Sequence, residues 1–278
     1  MLAITTITIK EPAMSPVPGF EEFRFSYGGF AHRVLKKGDG SQPGVLIIQE
    51  LPGITHHTIE LAERLHSDGF TVYLPVLFGQ PNAPFEPLKN LAKVCVSFEF
   101  RVLANRRRGP VADWLRALCR RMQAECGGVP VGAIGMCFTG GFVLTLMIDE
   151  AVAAPVSCQP GNADGMVGRQ ARRSLGVTPA DMAAATQRSR EEGVPLMGMR
   201  FTHDIMCPRA RFDYLEDQFG EHFRRIDIDS SLFNEHKIPP WAHSVLTLDF
   251  VDEPGHPTRQ AYDQMIAFFQ ERLVSVPS

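Results

Sequence analysis

Cys137 is the residue best placed to do chemistry. It falls between two apolar runs, Val129 to Gly135 (VPVGAIG) and Phe138 to Ile148 (FTGGFVLTLMI). The first reads as a short parallel strand covered on both faces, the second as a helix packed on all sides. A nucleophile at such a join is held out at the carboxyl end of a sheet, above the amino end of the next helix. Backbone N–H groups there favour nearby negative charge, which lowers a thiol pKa and supplies part of an oxyanion hole. The chemistry indicated is acyl transfer. The plainer reading is a buried filler, the usual fate of a free cysteine, and the chain has six cysteines.

A nucleophilic thiol needs a base, and the base needs a group to orient it. On sheets with a nucleophile at such a turn, the chain order is nucleophile, acid, histidine. The strand VPLMGMRF (Val194 to Phe201) comes next but one after Cys137, and Thr202-His203-Asp204 follows it directly. Asp204 is therefore the candidate acid, with a helix cap before Pro208 as its alternative reading. Among His236, His243 and His256, His243 is the candidate base. It lies among apolar residues (WAHSVL) just before an expected helix, whereas His256, between prolines, reads as a surface loop residue. His203 adjoins the acid and is expected to point away from it.

Glu50 ends the strand GVLIIQE at the same sheet edge as Cys137. A carboxylate there can activate or restrain a thiol, or be a solvated strand-end charge. The backbone N–H groups of Leu51 and Phe138 form the expected oxyanion pair, one from each loop.

The elements that must position these groups alternate between strand and helix. Phe20 to Lys37 reads as a hairpin turning near Gly28-Gly29, Thr55 to Ser67 as a helix, Thr71 to Leu77 as a strand, and Lys89 to Glu125 as mainly helical. Ala151 to Cys158 and Phe223 to Ile228 read as further strands. Helices are expected from Thr178-Pro179 to Gly193 and over Thr258 to Arg272. The alternation predicts an α/β fold: a mostly parallel central sheet with helices on both faces. No repeat or linker divides the 278 residues, so one domain over 1–278 is expected, with 1–19 as a surface arm.

Composition narrows the function classes. A chain this long buries about 75% of its unfolded surface and needs no staples. With a net charge of −3, nothing points to nucleic acid or an anionic membrane. No apolar run reaches the ~18 residues of a membrane span, and no secretory signal is evident at the start. The cysteines form no paired framework, so a cytoplasmic location with reduced thiols is expected. No metal or cofactor is expected. His56-His57 has no third ligand nearby, Cys119 and Cys126 lack zinc spacing, and no dinucleotide fingerprint occurs. Arg106-Arg107-Arg108 reads as a solvated loop.

Several segments resemble the dienelactone hydrolase family: IIQELPGI (47–54), TVYLPVLFG (71–79), GMCFTGG (135–141), RFTHDIMCPRARF (200–212) and AHSVLT (242–247). The likeness runs from Gly44 over most of the remaining chain. It implies the α/β-hydrolase fold and a Cys-His-Asp triad, with Cys137 as nucleophile, His243 as base and Asp204 as its partner. Glu50 matches the family's strand-end glutamate, which contacts the resting thiol and helps to ionise it when substrate binds. The substrate implied is a small ester or lactone. Two positions depart from the family pattern. Thr139 stands where the first later glycine of the nucleophile turn is usual, and Thr247 stands where one substrate-binding arginine falls. Arg101 and Arg106 lie in the stretch that would hold the other, and neither is assigned. The alternatives to hydrolysis are a non-catalytic binding member of the fold and an acyltransferase with an acceptor other than water.

Overall fold

The computed structural model describes residues 17–82, 109–161 and 172–274. Arg101, Arg106, the basic run at 106–108, most of the arm at 1–19 and the start of the 89–125 segment lie outside these residues.

Eight strands form one sheet: β1 (Glu21–Tyr27), β2 (Phe30–Lys37), β3 (Gly44–Ile48), β4 (Thr71–Val76), β5 (Val131–Met136), β6 (Val152–Cys158), β7 (Leu196–Phe201) and β8 (Phe223–Ile228). The spatial order is β1-β2-β4-β3-β5-β6-β7-β8. β1 and β2 form the expected hairpin, and β2 pairs antiparallel with β4. The other pairings are parallel. Strands β3 to β7 are buried at every position, as their unbroken apolar runs predict.

Helices cover both faces, as expected. On one side lie α1 (His56–Ser67) and α6 (Pro257–Phe269), packing Leu61, Leu65, Tyr262 and Phe268 against Val45, Ile47 and Ile134. On the other lie α2 (Pro110–Glu125), α3 (Phe142–Leu146), α4 (Pro179–Glu192) and α5 (Arg209–Phe219). Their Trp114, Leu144, Met182 and Phe212 meet Leu46, Ala133 and Leu196. The local signals are plain in α4, where the Thr178 side chain accepts from the Asp181 N–H, Pro179 opens the helix and Gly193 closes it with positive φ. Among the described residues, no helix is long and apolar enough to cross a membrane.

Three local readings need correction. The expected helix over Phe138 to Ile148 is a 3₁₀ turn at Cys137–Thr139 followed by the short α3. Gly140 and Gly141 separate them because neighbouring backbone comes too close for a side chain. A Cβ on Gly140 would lie 2.7 Å from the Cα of Pro160. The stretch after His243 is a set of turns and not a helix. His256 is buried as the N-cap of α6, its ring accepting from the Thr258 N–H, so it is not a surface loop residue.

Candidate active site

Parallel strands deliver their carboxyl ends to one edge of the sheet, and the site forms there. Ile48 of β3 pairs with Gly135 of β5. Two residues on from each stand Glu50 and Cys137, so strand register alone brings these two together. β7 ends at Phe201, and Asp204 follows within three residues.

Cys137 has φ of +50°, in the left-handed region that L-residues avoid, and is 6% exposed. Such strain marks the sharp strand-to-helix turn that lifts a nucleophile out of a sheet. The surroundings fix it. The Cys137 carbonyl accepts from the N–H groups of Gly140 (2.9 Å) and Gly161 (2.8 Å). Thr139 takes the place of a glycine without crowding this turn. Its buried hydroxyl accepts from the Met136 N–H at 3.0 Å and donates toward the carbonyls of Met136 (2.9 Å) and Ile48 (3.1 Å). The threonine thus stitches β5 to β3 under the cysteine. Gly135 is required for close approach, since a Cβ there would collide with the Thr139 carbonyl.

His243 and Asp204, 39 residues apart in the chain, meet through Nδ1 and Oδ2 at 2.6 Å. The carboxylate can only accept, so Nδ1 carries the proton and Nε2 is left as the basic nitrogen. Nε2 is buried and forms no hydrogen bond among the described residues. The Cys137 sulfur faces this ring closely enough to bias its charge. Burial opposes a charged imidazole, but the Asp204 carboxylate and the Cys137 sulfur outweigh it and push the His243 pKa up to about 11. Asp204 is itself held in place, its Oδ1 accepting from the Met206 N–H at 2.8 Å. His203 turns elsewhere, to the Thr202 hydroxyl.

Glu50 is 6% exposed, which rules out the solvated strand-end reading. Its carboxyl accepts from Ser244 Oγ at 3.0 Å, from Thr247 Oγ1 and from Gln159 Nε2 at 3.4 Å. Among the described residues, none of its hydrogen bonds goes to the Cys137 sulfur. Burial raises the Glu50 pKa against the pull of these donors. Ser244 and Thr247 belong to the histidine loop, so Glu50 latches that loop to the end of β3. Leu51 and Phe138 directly follow Glu50 and Cys137, on the two loops expected to supply oxyanion donors.

Sequence reasoning missed two supports. Asp249 folds back so that one oxygen accepts from the N–H groups of both His243 and Ser244, each at 2.9 Å. Gln159, at the end of β6, donates to Glu50 and accepts from the Val245 N–H at 3.4 Å. Asp249 reaches back six and five residues, which is not the two-residue spacing of an Asx turn, and nothing local marked it or Gln159. Among the described residues, no group of three His, Cys, Asp or Glu side chains is placed to hold a metal.

A buried thiol on a strained turn beside a carboxylate-oriented imidazole is an arrangement that can form and break an acyl–sulfur bond. The family model for the dienelactone hydrolase family matches residues 31–210, well over half of the chain. The chain belongs to the dienelactone hydrolase family. Solved structures agree on the fold. A dienelactone hydrolase from Anabaena variabilis is 16% identical, with 92% of this chain and 99% of that one covered and a TM-score of 0.56. A dienelactone hydrolase-like promiscuous phosphotriesterase from metagenomic libraries is 16% identical, with 91% and 98% covered and a TM-score of 0.60. An esterase from Pyrococcus furiosus is 10% identical, with 91% and 93% covered and a TM-score of 0.57. A comparison with curated proteins returned no match. Family membership makes this dienelactone hydrolase relative a hydrolase, built on the α/β-hydrolase fold.

Proposed function

We propose that this protein cleaves a small carboxylic ester or lactone through a thioester on Cys137. The observation that carries the reading is the 2.6 Å contact between His243 Nδ1 and Asp204 Oδ2, with the Cys137 sulfur beside the same ring. His243 Nε2 takes the thiol proton, and the thiolate attacks the substrate carbonyl carbon. The tetrahedral oxyanion is received by backbone N–H groups of Leu51 and Phe138. Collapse expels the alcohol, which takes the proton from His243, and leaves the acyl group on sulfur. Water, deprotonated by the same nitrogen, attacks the thioester and releases the acid. Asp204 fixes the ring's tautomer and stabilises its charged form.

The raised pKa of His243 favours uptake of the thiol proton by its ring. Glu50 keeps the histidine loop seated against β3. The missing arginine at Thr247 supports a substrate recognised by its ester group, without a carboxylate gripped from that position. The test is hydrolysis of small aryl esters and lactones by wild type and Cys137→Ala. The variant is expected to lose essentially all activity, and a Cys137→Ala enzyme as fast as wild type overturns the proposal.

A further inference from the structure

Four arginines are buried among the described residues: Arg116, Arg188, Arg200 and Arg211. Three pair with carboxylates, Arg116 with Asp113, Arg188 with Glu192 and Arg200 with Asp227. Arg211, which has no exposed surface, pairs with none among the described residues. Burying a guanidinium without a paired anion is costly, so its surroundings must explain it.

Those surroundings are the two turns that flank the thiol. Arg211 Nη1 donates to the carbonyl of Pro160 and, at 2.8 Å, to that of Met206. Pro160 leads into Gly161, whose N–H donates to the Cys137 carbonyl at 2.8 Å. Gly161 lies so close that a Cβ there would be 3.3 Å from the Cys137 sulfur. Met206 closes the turn in which its own N–H holds Asp204 Oδ1 at 2.8 Å. One nitrogen therefore ties the turn beside the nucleophile to the turn that carries the acid. The groups that act on the guanidinium as potential anions are Cys207, Asp204 and Cys137. Arg211 Nε and Nη2 have no hydrogen-bond acceptor among the described residues.

We propose that Arg211 is a positioning residue for the Cys137 site: a buried cation that fixes the Pro160 and Asp204 turns in register and balances the site's negative charge. Its charge offsets that of Asp204. The other titratable groups facing the thiol and imidazole are Glu50, Cys158 and Cys207. Burial raises the pKa of all three, so each resists taking on negative charge beside the thiol.

The inference rests on Cys137 as the nucleophile, so its test includes a readout that does not need turnover. Arg211→Lys keeps the charge and loses the planar fork. Arg211→Met removes both. Each is compared with wild type by circular dichroism, by ester hydrolysis, and by the pH dependence of iodoacetamide alkylation at Cys137. The expected result for Arg211→Lys is a kcat lower by about tenfold or more, KM within about twofold, and an unchanged alkylation midpoint. Arg211→Met is expected to lose more rate and to move the alkylation midpoint up by about one pH unit. A folded Arg211→Met protein with wild-type kcat and an unmoved midpoint overturns the proposal. If Arg211→Met does not fold, Arg211→Lys decides, and wild-type kcat in that variant overturns it. If wild type proves inactive on every ester, the alkylation midpoint still judges Arg211, and the failure belongs to the hydrolase reading alone.

Discussion

Asp204 holds His243 from one side while its other oxygen is fixed by its own turn. Oδ2 meets Nδ1 at 2.6 Å and Oδ1 accepts from the Met206 N–H at 2.8 Å. The acid is thus a rigid partner, and it determines which ring nitrogen faces the sulfur. Asp204→Asn preserves the shape but can present an N–H to Nδ1, favouring the tautomer with the proton on Nε2. The expected loss in kcat is on the order of 10³–10⁴-fold with the fold intact. Steady-state kinetics with a small aryl ester checks this, and a loss under tenfold contradicts the orienting role.

The charge on His243 links the site to stability. Its folded pKa of about 11 lies above the unfolded value of 6.5. The stabilisation it contributes is therefore complete below about pH 6.5 and is lost as pH rises toward 11. Wild type should lose stability through this window with a slope of up to about 1.4 kcal/mol per pH unit, and His243→Gln should not. Urea midpoints for both proteins from pH 6 to 10 measure the difference. Parallel curves would rule out the raised pKa.

Glu50 gives a second pH signature. Burial raises its pKa above 4.5, so its favourable contribution is complete below about that pH and declines as pH rises through the folded value. Glu50→Gln cannot ionise and should gain stability relative to wild type as pH increases above 5. Glu50→Ala should cost about 1–3 kcal/mol, because the Ser244 and Thr247 hydroxyls lose their acceptor. Denaturant unfolding of the three proteins at pH 5 and pH 8 tests both statements. A pH-independent gap between Glu50→Gln and wild type counts against them.

Thr139 is a structural member of the Cys137 turn. Thr139→Val keeps the bulk and leaves the Met136 N–H without its side-chain acceptor. The expected cost is about 1–3 kcal/mol, with slower alkylation of Cys137 as the turn loosens. Thermal unfolding and iodoacetamide kinetics measure the two effects. Unchanged values for both would assign the strain at Cys137 to other contacts.

Much of this was readable in the chain because its signals are local. Unbroken apolar runs marked β3 to β7, and chain order pointed to Asp204 and His243. Glu50 was legible as a strand-end residue, but its burial was not, because its partners Ser244 and Thr247 lie almost 200 residues away. The helix after Cys137 was overread. Its composition is apolar, but Gly140 and Gly141 serve the approach of Pro160 and Leu175 and interrupt the helix. His256 looked exposed because proline and glycine surround it, yet the same residues build a helix cap. Arg211 and Gln159 carry no periodic or motif signal, and only tertiary contacts reveal them.

Acylation of Cys137 is read directly by intact-protein mass spectrometry within seconds of mixing the enzyme with an activated aryl ester. The expected result is a transient acyl adduct that peptide mapping locates on Cys137 and that never forms in Cys137→Ala. Turnover of the ester with the acyl group appearing on another residue, or persisting at the wild-type rate in Cys137→Ala, would contradict it.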